Sequence, residues 1–197
     1  MKKLFLIFLS IIFVLSLAAC AGKGPENEVL LERFRELVTA SAEINDVFFG
    51  KGLPTYSREE YAEAYEMTEG ADPDYDFVTA EAKYQSIAEI KAAAEAVYTL
   101  DYLSSIYTLA FEGFYDRDIG HIPALYTEDS TGFAKHNATE PKITETRAFD
   151  FASAKVLMKN DKYATVEVDT TCAGRAQRLR IRMKNQDGTW LLDDPTY

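Results

Sequence analysis

Two runs of strict alternation, Ala164 to Asp169 and Arg178 to Met183, flank the dipeptide Ala173-Gly174. In the first, Ala164, Val166 and Val168 alternate with Thr165, Glu167 and Asp169. In the second, Leu179, Ile181 and Met183 alternate with Arg178, Arg180 and Arg182. A period of two is that of a strand with one buried face. A two-residue turn at Ala173-Gly174 sets Val168 opposite Leu179, Val166 opposite Ile181 and Ala164 opposite Met183. The same register sets Asp169 opposite Arg178, Glu167 opposite Arg180 and Thr165 opposite Arg182. A slip of one residue would mismatch every pair, so the hairpin has one register. Arg182, opposite an uncharged threonine, is expected to be the arginine most available to a ligand.

Upstream, the spacing is helical. Leu30, Leu31, Phe34, Leu37, Val38 and Ile44 mark an amphipathic helix over 26–47, stopped by Gly50 and Gly52. Ser57 with Glu60, and Ser86 with Glu89, have capping-box spacing. The first opens a short helix to about Met67. Ile87, Ile90, Ala94 and Val97 form an apolar stripe behind the second. Thr99 caps a further helix carrying Leu100, Leu103 and Ile106, and Gly113 ends it. No strand is read between these helices. Residues 70–76 read as an acidic loop and 114–121 as an exposed connector. Asn160-Asp161 and Asp187-Gly188 add turns, and Thr189 to Leu192 is the last strand. Helices first and an antiparallel meander second give an α+β class, with N-terminal helices packed on a curved antiparallel sheet.

The first two dozen residues stand apart. Lys2 and Lys3 precede an apolar stretch from Leu4 to Leu17, the layout of an export signal. At about 15 residues it is short for a bilayer span. Its end, Leu17-Ala18-Ala19-Cys20, resembles the lipobox of bacterial lipoproteins. That resemblance implies a diacylglyceryl group on the Cys20 thiol, cleavage before Cys20, acylation of the new amine, as by palmitate, and a chain held at the cell membrane on the extracytoplasmic face. The expected organisation is a signal peptide over 1–19, a tether over 20–25, and one domain over 26–197. The helical half spans about 26–113 and the sheet half about 123–193. Without Lys2 and Lys3 the chain carries 19 basic and 32 acidic side chains, a net of −13. That charge argues against nucleic acid as a partner. Cys172 is the one cysteine besides Cys20, so the mature chain forms no internal disulfide.

Element order after residue 80, with Gly188-Thr189-Trp190 in the last strand, resembles the NTF2-like, cystatin-related cone. This fold hosts enzymes and binding modules alike.

Asp116, Asp118 and His121 lie close in sequence, as an acid–base pair or metal site would require, but without a second histidine or cysteine at ligand spacing. Asp72, Asp74 and Asp76 imitate the start of a calcium loop, yet Phe77 stands where that loop needs glycine and Lys83 where it needs glutamate. No metal, cofactor or catalytic residue is assigned. Cys172 reads as a small buried residue at a strand end. Tyrosines crowd the helical half; Tyr98 and Tyr102, with Arg182, are the candidate ligand contacts. The expected function is a lipid-anchored extracytoplasmic binding or accessory lipoprotein, not a catalyst. Its membrane contact would be the lipid on Cys20, and its partner an envelope protein, peptide or polymer. The alternatives are a small envelope enzyme with an NTF2-like pocket and an inhibitor of cell-wall hydrolases.

Overall fold

The computed structural model describes residues 26–64 and 71–197. Cys20, the expected leader over 1–19, the expected tether over 20–25 and the expected helix end near Met67 lie outside the described residues.

The chain is α+β. Helix α1 (Asn27–Phe49) buries Leu30, Phe34, Leu37, Val38 and Ile44, the stripe expected from spacing. Helix α2 (Arg58–Ala64) opens on a reciprocal capping box: Glu60 N donates to Ser57 Oγ, and Ser57 N donates to Glu60 Oε2 at 2.8 Å. At α3 (Ile87–Glu95), Ser86 Oγ accepts from Glu89 N, while the Glu89 carboxylate accepts from Gln85 N. At α4 (Leu100–Tyr107), Thr99 Oγ1 accepts from Tyr102 N. A π-helical turn, Thr108–Glu112, extends α4 as far as Gly113.

The described strands form three antiparallel sheets, not the single sheet expected. Strand β1 (Tyr75–Phe77) lies in the segment read as an acidic loop, and pairs with β5 (Gly132–His136), which pairs with β4 (Tyr126–Asp129). The segment read as a connector is a hairpin of β2 (Phe114–Asp116) and β3 (Gly120–Ile122). Asp116 Oδ1 organises its turn, accepting from Asp118 N and Ile119 N. Strands of three to five residues are too short for a period-two signal to emerge.

The main sheet is the meander β6 (Ala148–Lys159), β7 (Tyr163–Cys172), β8 (Arg175–Gln186) and β9 (Thr189–Leu192). The β7–β8 register is the one derived from the alternation, from Ala164 opposite Met183 to Asp169 opposite Arg178. Ala173 (φ 51°) and Gly174 (φ 72°) both lie in the left-handed region, as a two-residue hairpin turn with the sheet's twist requires. Extra residues in β6 shift its register between Asp150 and Lys155. Ser153 holds this bulge, its hydroxyl donating to Asp150 O and accepting from Asp169 N. A bulge sharpens local twist. The sheet wraps α1, which meets both edge strands: Phe34 packs edge-on against Phe151 of β6, and Arg33 Nε donates to Trp190 O of β9.

The space between sheet and helix is filled. Phe34, Leu30, Val166, Val168, Met183 and Leu192 are all fully buried. One polar cluster sits within this core. Thr196 Oγ1 accepts from Asn45 Nδ2 at 2.8 Å and lies 2.7 Å from Ser41 Oγ and 2.9 Å from the Tyr98 hydroxyl. Tyr98 also donates to Asn45 Oδ1. These bonds fasten the C-terminal segment to the middle of α1.

Candidate functional site

The residues singled out from sequence separate in space. Arg182 is not the unengaged arginine expected from its threonine neighbour. Its Nε donates to Asp193 Oδ2 at 2.8 Å, and Asp194 lies 3.6 Å away. Asp193 and Asp194 follow β9, so the hairpin register could not reveal them. The rest of the basic stripe is paired too. Arg178 grips Asp169 through two nitrogens, Arg180 and Lys155 both reach Glu167, and Lys184 reaches Asp101. Lys155, then Arg180, hold the Glu167 carboxyl below the usual carboxylate range. Arg178 does the same for Asp169.

Tyr98 is 1 % exposed and belongs to the core. Tyr102 stacks on it with ring centroids 4.7 Å apart. Tyr102 and Arg182 do share a wide depression with Tyr163, but its charges are the mutually paired Asp101, Lys184, Arg182 and Asp193. The Tyr102 hydroxyl is buried, and burial, then Tyr197, raises its pKa. Cys172 ends β7 half-buried. His121 is exposed on β3, and His136 meets the Tyr75 ring edge-on.

A more enclosed cavity, of about 190 Å³, was not foreseen. It lies beyond the C-terminal end of α1, outside the α1–sheet layer. Val47 and Phe48 of α1, Ile106 of α4 and Ala110 of the π-helical turn form its apolar floor. Leu109 stands at the rim, 38 % exposed. The remaining rim carries Lys51, Lys135, Lys142, Thr139 and Glu140. These lysines sit on the turn after α1, on β5, and on the segment after β5. Sequence spacing therefore gave no sign that they converge.

Local geometry fixes one of them. Lys135 Nζ donates to Lys51 O at 2.6 Å and to Leu53 O at 3.4 Å. Burial lowers its pKa, while Asp76 and Asp46 act in the opposite sense. Gly52 (φ +74°) makes this possible. A Cβ there would stand 2.8 Å from the Tyr126 hydroxyl and 3.0 Å from Lys135 Cδ. Tyr126 braces the same turn, its hydroxyl donating to Val47 O and accepting from Leu53 N. Burial pushes the Tyr126 pKa up as well. The cavity is thus an apolar cup with three lysines and Glu140 along its rim, of which the Lys135 ammonium is fixed by hydrogen bonds.

Comparison with protein-family models, curated proteins and solved structures finds no match for this chain.

Proposed function

We propose that this chain is a lipid-anchored extracytoplasmic binding or accessory protein rather than a catalyst. The reading of its location rests on Leu17-Ala18-Ala19-Cys20. The observation that carries binding over catalysis is the direction in which its acids have been tuned. Ion pairing lowers Glu167 and Asp169, and burial raises Tyr98, Tyr107 and Tyr126. A general acid or base working near pH 7 needs the opposite for each of these groups; Lys135, which burial lowers, is the exception, and two backbone carbonyls occupy its ammonium. The closed α1–sheet core supports the same reading, because it leaves the sheet's inner face as packing rather than as a site.

The finer fold reading is an NTF2-like cone. A long helix, a short helix, a short strand, two more helices and an antiparallel meander support it, and β1 supplies an early strand between helices.

Fatty-acid labelling of cells, followed by fractionation, tests the anchor. Cys20→Ala is expected to lose both label and membrane recovery; undiminished labelling refutes the lipoprotein reading. For the binding reading, His121→Ala combined with His136→Ala is expected to preserve the cellular phenotype at equal protein level. Loss of that phenotype with retained folding would favour the enzyme.

A further inference from the structure

We infer that the cavity beyond α1 binds a small organic anion with an apolar body, a carboxylate borne on one ring or a short acyl chain. The inference deepens the binding reading, on which it rests, and is independent of the anchor at Cys20.

The argument begins with charge. The chain carries 32 acidic and 21 basic side chains. Four cations that alternate along β8, Arg178, Arg180, Arg182 and Lys184, are each in an ion pair. Lys51, Lys135 and Lys142, like several other cations such as Lys91 and Arg175, form no ion pair among the described residues; what sets these three apart is that they converge. All three surround one apolar cavity. An ammonium group has three protons to donate. Two on Lys135 are spent on Lys51 O and Leu53 O, which leaves one to donate elsewhere. Those two bonds, and the bare Cα of Gly52 beneath them, hold the ammonium in place before any ligand arrives.

Size narrows the ligand. About 190 Å³ is somewhat more than the ~150 Å³ apolar cavity that accepts benzene. The floor of Val47, Phe48, Ile106 and Ala110 offers no hydrogen-bonding side chain, so the buried part of the ligand must be apolar. Its anionic end must then lie at the rim, where three lysines outnumber the single carboxylate, Glu140. A larger polymer would not enter, and a bare inorganic ion would leave the floor unused.

Isothermal titration of the purified full chain with phenylacetate, hexanoate and neutral 2-phenylethanol tests this. Phenylacetate is expected to bind saturably at one site, at least about tenfold more tightly than 2-phenylethanol, as a charge-assisted contact provides. Lys51→Gln with Lys142→Gln is expected to weaken phenylacetate about tenfold while leaving the alcohol unchanged. Both lysines are exposed, so an unchanged thermal midpoint shows the fold intact. Equal affinity for acid and alcohol overturns the inference. So does an unchanged acid affinity in the double variant, or the absence of saturable heat from either acid up to about 10 mM. Failure of the titration leaves Cys20 labelling unaffected, and loss of labelling leaves the titration unaffected.

Discussion

Thr196→Val tests how the C-terminal segment is held to the core. The substitution keeps the branched shape at Cβ and removes one hydroxyl that is 2 % exposed in its residue context. Ser41 Oγ retains Val38 O as a partner, and Tyr98 retains Asn45 Oδ1. Asn45 Nδ2, which donates to Thr196 Oγ1 at 2.8 Å, is left without that acceptor inside the core. A buried polar group deprived of its partner costs about 1–3 kcal/mol. The added methyl returns about 0.8 kcal/mol. The net loss is about 0.2–2 kcal/mol, a fall in Tm of up to about 8 °C for a domain of this size. Thermal and urea melts read it directly. The same cluster gives a stricter test through Tyr98→Phe. Thr196→Val and Tyr98→Phe act on one hydrogen-bonded group, so their effects are expected to be non-additive by at least about 0.5 kcal/mol. An unchanged Tm in Thr196→Val, or strict additivity in the double variant, refutes the reasoning that this cluster fastens the tail.

Glu167→Lys places a cation among Lys155, Arg178 and Arg180 and is expected to lower the urea midpoint, while adding Arg180→Glu recovers part of the loss. A double variant as unstable as the two single losses combined contradicts the cross-strand pairing. Ala173 occupies a left-handed turn position that asparagine tolerates better, so Ala173→Asn is expected to stabilise the chain by about 1 kcal/mol in the same melts. Burial raises the folded pKa of Tyr98, Tyr102, Tyr107 and Tyr126 above the unfolded value of about 10. Their contribution to stability is therefore intact below about pH 10 and is lost as pH rises beyond it. Absorbance of tyrosinate during alkaline titration is expected to lag in the folded chain and to rise with unfolding; smooth ionisation near pH 10 in the native state would contradict that burial.

The sequence alone determined those features whose causes are local. The β7–β8 register is set by a two-residue turn and a period of two, both readable along one stretch of chain, and a shift by one would expose the apolar face. The caps at Ser57, Ser86 and Thr99 were legible for the same reason: each side chain reaches a backbone N–H three residues on. The short strands β1 to β3 were missed, and β4 and β5, inside the expected sheet half, were not read one by one, because a few residues cannot display a period. Arg182 was misassigned because its partners, Asp193 and Asp194, come from beyond the next strand. Only the tertiary structure could join Thr196 to Ser41 and Asn45, or gather Lys51, Lys135 and Lys142 around one apolar cup. Such contacts depend on how α1 docks against the sheet and on where the segment after β5 returns to it. Those are properties of packing between distant elements, and no local pattern of residues encodes them.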